Sequence, residues 1–315
     1  MCIMGGAVPS SFAKDAAGVF GIGMTAMPEI HRRKPYTFRA GERALELGAR
    51  TALMGILNVT PDSFSDAGRY FSPEAAVERA WRIAEEGADI LDIGGESTRP
   101  GSEAVSAEEE LRRVTPVLEA LARSRKYPIP ISVDTSKAEV ARAALERGAS
   151  IINDVTSLKK DPAVGTEAAR HRAGLILMHM RGEPKNMQTL PPSPDILGDI
   201  DIWAGEAVAR ARNSGVPSDA IVLDPGIGFG KTADQNILIL RNLDRLAAGF
   251  PILVGTSRKS FIGSIVQKPA GELVLGTGAT VAASIIFGAH LVRVHDVAAM
   301  REIADVTDAI VNLRG

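Results

Sequence analysis

From residue 51 onward the chain repeats one block: a short apolar run, a polar loop, then a longer stretch with apolar residues at helical spacing. The apolar runs are ALMGILN (52–58), ADILDIGG (88–95), PISVD (130–134), SIIND (150–154), GLILMHM (174–180), AIVLD (220–224), PILVG (251–255) and HLVRVHD (290–296). Helical stretches are predicted at 73–87, 106–123, 137–148, 199–214, 233–247, 275–288 and 297–312. Boundary signals agree with this division. Ser72 precedes Pro73, Ser106 is followed three residues later by Glu109, and Gly87 and Gly148 stand where helices should stop. Eight short strands alternating with helices predict an α/β fold, a (β/α)8 TIM barrel, as a single domain over 51–315. An open doubly wound sheet is the alternative, and six strands would have suited it better.

In a barrel the chemistry lies at the C-terminal ends of the strands. Asn58 ends the first run, Glu96–Arg99 follow the second, Asp134 ends the third, and Asn153 and Asp154 end the fourth. His179 and Asp224 end the fifth and sixth, Ser257, Arg258 and Lys259 follow the seventh, and Arg293 and His295 end the eighth. A single strand-end Asp or Asn often only caps a helix or makes an Asx turn. Nearly every strand supplying a polar group at the same end is better explained by a shared site. His179 is expected to be packed rather than catalytic.

Residues 221–232, IVLDPGIGFGKT, superficially match a phosphate-cradling loop. That loop needs a glycine, four residues, then Gly-Lys-Ser/Thr, so that successive N–H groups wrap a phosphate. Counting back from Gly230–Lys231–Thr232 places Pro225 at the first position, and proline has no N–H to donate. Lys231 likewise stands where a dinucleotide fingerprint needs its third glycine. The stretch reads as a glycine-rich strand-to-helix turn with Asp224 at its front.

Composition narrows the class of partner. The 315 residues carry a formal net charge of −2, against the basic excess usual in nucleic-acid binders. Cys2 is the only cysteine, so no intrachain disulfide forms and a reducing cytoplasm is the expected location. No apolar stretch reaches bilayer-spanning length, so no membrane association is expected. Residues 1–50 are expected to be a poorly ordered extension, or a start assigned too early, with Met24 and Met27 as later candidates. AAGVFGIGMTAM could pass for a targeting core but lacks a clean small-x-small cleavage site.

Taken in order, GILNVTPDSFSDAG (55–68), DIGGESTRPG (92–101), ISVDTSKAEV (131–140), IINDV (151–155), LMHMRGEP (177–184), LDPGIGFGK (223–231), GTSRKSFIG (255–263) and RVHD (293–296) resemble the dihydropteroate synthase family of pterin-binding enzymes. The resemblance covers the chain from Met54 onward. It implies condensation of 7,8-dihydropterin-6-ylmethyl diphosphate with 4-aminobenzoate, with Mg2+ as cofactor and a homodimer as the assembly. It implies a pterin site of Asp134, Asn153, Met178, Asp224 and Lys259, and diphosphate contacts from Asn58, Thr98, Arg293 and His295. Asn58 would be the protein ligand to Mg2+. Phe64, Ser65, Thr98, Arg99, Pro100, Phe229 and Ser257 would form the aminobenzoate pocket. Asp134, Asp66, Arg99 and Lys259 would be the catalytic residues, with Asp66 and Arg99 pairing across the closed site. The side chains suit these roles, because a carboxylate can accept two hydrogen bonds from an amine and adjacent ring N–H. Two alternatives stay open: a pterin-binding methyltransferase on the same barrel, and a pterin-binding paralogue without turnover.

Overall fold

The structure is a computed structural model and describes residues 33–60, 72–97, 101–124, 127–246 and 248–312. An antiparallel hairpin, β1 (Tyr36–Ala40) and β2 (Arg43–Leu47), turns at Gly41 and precedes the repeat. The repeat then runs β3 (Ala52–Asn58), α1 (Pro73–Glu85), β4 (Ile90–Gly94), α2 (Ala107–Arg123), β5 (Ile131–Asp134), α3 (Ala138–Glu146) and β6 (Ile151–Asp154). It continues with α4 (Ala163–Arg170), β7 (Gly174–Met178), α5 (Ile196–Asn213), β8 (Ile221–Asp224), α6 (Ala233–Leu240) and α7 (Leu243–Leu246). The last units are β9 (Leu253–Val254), α8 (Ser260–Val266), α9 (Val274–Ile286), β10 (Leu291–Val294) and α10 (Val297–Asn312).

The eight strands of the repeat are parallel, in the order β8-β7-β6-β5-β4-β3-β10-β9. A parallel bridge between Leu223 and Ile252 brings the two ends of this order together. Strand alternation divides the residues cleanly. Leu53, Leu57, Leu91, Ile93, Val133, Ile152, Leu175, Leu177, Leu223 and Val292 join the core under the helices. The opposite parity, Met54, Ile90, Ile151, Ile176, Val222, Leu253 and Leu291, fills the inside of the barrel. Local signals set the helix starts. Ser72 and Ser106 cap α1 and α2, each accepting a main-chain N–H three residues on, and Pro73 opens α1.

The hairpin amends the expectation for the first fifty residues. Phe38, Ala40 and Leu47 are buried against the inner apolar layer, closing the N-terminal end of the barrel. Gly174 makes room for this, since a Cβ there would stand 2.5 Å from Phe38 Cζ. Gly41 N–H donates to the Arg172 carbonyl at 3.0 Å, and Arg43 Nη1 to the Pro128 carbonyl at 2.8 Å. Arg33 is buried on Thr51, Asp308 and the Ala289 carbonyl, tying the approach to the hairpin onto α10. Each strand alternates for only five residues, too short a signal to stand out from the sequence before it. Phe38→Ala is expected to cost ~3–5 kcal/mol of folding stability, measured by denaturant unfolding, while turnover at the opposite end is retained.

Two helices, α4 and α8, were not anticipated, and the stretch 233–247 divides into α6 and α7. Among the described residues no helix is long and apolar enough to cross a membrane.

Candidate active site

Asn58, Asp134, Asn153, Asp224 and Arg293 lie at the C-terminal end of the barrel on the same inward parity as the apolar layer below. Asp154 has the opposite parity and accepts the Thr156 and Leu158 N–H groups. Asp134 pairs in register with Asn153, and Met178 with Asp224. Asp134, Asn153, Met178 and Asp224 are all buried. A cavity of about 720 Å3 opens beside them, lined by Asp134 and Met178 of this set and by Ser97, Val155, Pro184 and Trp203, and not by Asn153 or Asp224.

One guanidinium organises the floor. Arg293 donates from Nε to Asp92 at 2.7 Å and from Nη2 to Asp134 at 3.0 Å. The same Asp92 oxygen accepts from the Asn153 amide at 3.3 Å. Asp92 is fully buried, and its other oxygen has no hydrogen-bond partner among the described residues. Burial pushes the Asp134 carboxyl up to about 7, with Arg293 opposing and Asp92, Glu110 and Asp154 adding to the rise. The floor therefore holds excess acid, and Arg293 is the cation set among it.

The turn after β8 shapes the neighbouring side. Asp224 Oδ1 accepts the Gly226 N–H at 2.7 Å. Burial raises its carboxyl to about 6, opposed by that N–H and then by Lys259, Lys231 and Arg293. Gly226 has φ 67°, and a Cβ there would lie 1.9 Å from the His179 carbonyl oxygen, so only glycine allows the turn to pack on β7. Lys259, just before α8, holds its ammonium 3.9 Å from the centre of the Phe229 ring.

The lysine and threonine of the glycine-rich motif do not face a phosphate. Lys231 is buried with its ammonium on the carbonyls of Gly226 (2.8 Å), Phe229 (3.1 Å) and His179 (3.2 Å). Thr232 caps α6 in a reciprocal capping box with Gln235. His179 packs edge-on against Trp203, and burial holds its imidazole well below the usual range, as a packed residue should be.

On the far side, Ser257 Oγ and His295 Nδ1 lie 2.9 Å apart, and the His295 N–H donates to the same hydroxyl at 3.2 Å. Ser257 thus orients His295, a contact its expected place in the aminobenzoate pocket did not include. Asn58 ends β3 with its amide oxygen 3.6 Å from where a Gly94 Cβ would be. Phe64, Ser65, Asp66, Thr98, Arg99 and Pro100 lie outside the described residues. The flanks of the second of these segments are held. Lys137 bridges Glu96 and Glu110, Ser102 Oγ donates to the Ser97 carbonyl at 2.6 Å, and Gly101 N–H donates to the Pro184 carbonyl at 3.0 Å.

Sequence reading missed Asp92, the inward bonding of Lys231 and the Lys137 bridge. Asp92 had a signal: two residues before Gly94 it shares the inward parity, and a carboxylate within an apolar strand needs a partner.

Fold and rim together define a TIM-barrel enzyme with its chemistry gathered at one end. The chain belongs to the pterin binding enzyme family, whose family model matches residues 54–295. It is 49% identical over 289 residues to the dihydropteroate synthase of Synechocystis, covering 91% of this chain and 99% of that one. It superposes on the Xanthomonas albilineans dihydropteroate synthase holding 4-aminobenzoic acid with TM-score 0.81 at 42% identity, covering 89% and 100% of the two chains. The Burkholderia cenocepacia dihydropteroate synthase complexed with 7,8-dihydropteroate gives TM-score 0.78 at 39% identity, covering 88% and 96%.

Proposed function

We infer that the chain is a dihydropteroate synthase, joining 7,8-dihydropterin-6-ylmethyl diphosphate to 4-aminobenzoate with release of diphosphate. The observation that carries this reading is the floor: buried acceptors and donors, Asp134, Asn153 and Asp224, beside a cation, Arg293, that is hydrogen-bonded to Asp92 and Asp134. A pterin presents an amine, ring N–H groups and a carbonyl along one flat edge. Asp224 accepts from the amine and the adjacent ring N–H, Asn153 and Lys259 serve the rest of the edge, and Met178 packs on the ring face. Asp134 accepts a further ring N–H once Arg293 moves from it to the diphosphate.

The displacement needs no activated nucleophile, since the aryl amine already carries a lone pair. The methylene C–O bond breaks with its electron pair leaving on diphosphate, the C–N bond forms from the amine lone pair, and the proton then lost from that nitrogen passes to solvent water. Arg293 and His295 take the leaving charge, Asp134 stabilises the developing methylene cation, and positioning dominates over acid–base chemistry. The family resemblance assigns the aminobenzoate pocket to Phe229 and Ser257 together with Phe64, Ser65, Thr98, Arg99 and Pro100, and a pairing across the site to Asp66 and Arg99. All but Phe229 and Ser257 lie outside the described residues.

The residues suit Mg2+. Among the described residues no group of three His, Cys, Asp or Glu side chains could enclose a metal, and Asn58 offers a single hard oxygen at the rim. A cation that keeps waters and shares phosphate oxygens needs few protein ligands. Asn58 would hold it, and the ion would add positive charge against the diphosphate.

The test is diphosphate release with the pterin diphosphate, Mg2+ and aminobenzoate. Release that depends on aminobenzoate is expected. Its absence would leave a methyltransferase or a silent pterin binder.

Pterin affinity should also depend on pH. Asp224 must be ionised to accept both hydrogen bonds, so affinity is expected to fall roughly tenfold per unit below pH 6. Its contribution to folding runs the other way: the raised carboxyl favours the protonated fold, fully below about 4 and lost as pH rises through about 6. Asp134 titrates near 7 in the same bowl, so calorimetric titrations of wild type and Asp224→Asn from pH 5 to 8 isolate the Asp224 part.

A homodimer is proposed through the last helices. Leu275 on α9 and Val306 and Ile310 on α10 are 85%, 63% and 62% exposed, an apolar set that a second copy would cover. Light scattering should give twice the 33.3 kDa chain mass.

A further inference from the structure

Lys231 is a buried basic group to which the mechanism above gives no task. Its three donors are all spent on main-chain oxygens, two in the turn after β8 and one just beyond β7. An ammonium placed in this way reaches neither substrate. It joins two segments that are also linked by His179 N–H to the Asp224 carbonyl at 2.8 Å, Arg181 N–H to the Phe229 carbonyl at 3.5 Å, Arg181 Nη1 to the Gly230 carbonyl at 3.1 Å and Gln188 Nε2 to the Gly228 carbonyl at 3.3 Å. Among the described residues it alone gives one group to both Gly226 and Phe229.

The joined segments are the ones that aim the pocket. Gly226, whose carbonyl takes the shortest of the three bonds, gives its N–H to Asp224 Oδ1 and so sets the rotation of that carboxylate. Phe229, whose carbonyl takes the second, places its ring beside the Lys259 ammonium. Gly228 N–H is fixed separately by Asn236 Oδ1 at 2.8 Å, so the middle of the turn is anchored to α6 while Lys231 anchors its two ends. The turn has little room to slide, because Gly226 and Gly230 would each meet a β7-side carbonyl at 1.9 and 2.4 Å if they carried a Cβ.

We propose that Lys231 is a positioning residue for both substrate pockets, fixing the Asp224 carboxylate and the Phe229 ring in one relative placement by tying their turn to the end of β7. This rests on the reading of Asp224 and Phe229 as pterin and aminobenzoate residues. Lys231→Met keeps the aliphatic stem and removes the three donors.

The experiment is a double-mutant cycle on the full-length protein with Lys231→Met and Asp224→Asn, reading pterin diphosphate affinity by calorimetry without aminobenzoate. Lys231→Met is expected to weaken binding at least tenfold in the wild-type background and less than twofold in Asp224→Asn, where the aimed carboxylate is already gone. In steady state it should raise KM for both substrates while kcat falls less than threefold. Equal losses in the two backgrounds would mark Lys231 as a general stabiliser and overturn the proposal, as would unchanged affinity. If the methionine variant does not fold, Lys231→Gln, which keeps a donor for one carbonyl, should show an intermediate loss with the same dependence on Asp224; wild-type affinity in that variant overturns the proposal. Failure of the wild-type protein to bind the pterin diphosphate would instead overturn the functional reading, and this inference with it.

Discussion

Asp224→Ala is expected to weaken pterin binding by roughly 30- to 700-fold, about 2–4 kcal/mol, because buried donors on the ring edge lose their acceptor. Asp224 is 6% exposed and has the Gly226 N–H on its other oxygen, so water has little access to take its place. Folding should suffer much less. The substitution removes a carboxyl that burial already disfavours in its charged form. Calorimetry with the free pterin and thermal unfolding separate the two effects, and unchanged pterin affinity would refute the clamp.

Arg293→Ala should act on both counts. It leaves Asp92 and Asp134 in the floor without the cation that joins them, and breaking such a buried pair costs ~3–5 kcal/mol. The variant is therefore expected to unfold at lower temperature and to lose turnover. Binding of the pterin diphosphate should fall at least tenfold more than binding of the free pterin, since only the former uses the guanidinium as an anion anchor. Asp92→Asn in the Arg293→Ala background should recover part of the unfolding temperature, because one unpaired charge is gone, and none of the diphosphate affinity. Equal loss for the two ligands would make Arg293 a structural residue only.

The barrel was legible because its strands are buried on both faces and read as continuous apolar runs. The run 52–58 matches β3 residue for residue, and 220–224 is within one residue of β8. Strand β9 is only Leu253–Val254, and the barrel closes there through one bridge, a detail no propensity encodes. Candidate site residues were visible wherever a polar group ended an apolar run, which is why Asn58, Asp134, Asn153 and Asp224 stood out. Asp92 lies one turn of the pleat deeper, and only the partner that crosses the barrel, Arg293 from β10, shows what it does. Lys231 was misleading for the opposite reason. Its neighbours resemble a phosphate loop, while its direction is set by tertiary packing that turns the ammonium inward. The hairpin escaped because two five-residue alternations carry little signal, and Gly174, which receives Phe38, is far away in the chain.

The hairpin under the barrel has a consequence for traffic through the molecule. The inner apolar layer already fills the barrel and Phe38 and Leu47 seal it from below, so whatever reaches Asp134 and Asp224 comes and goes over the opposite rim.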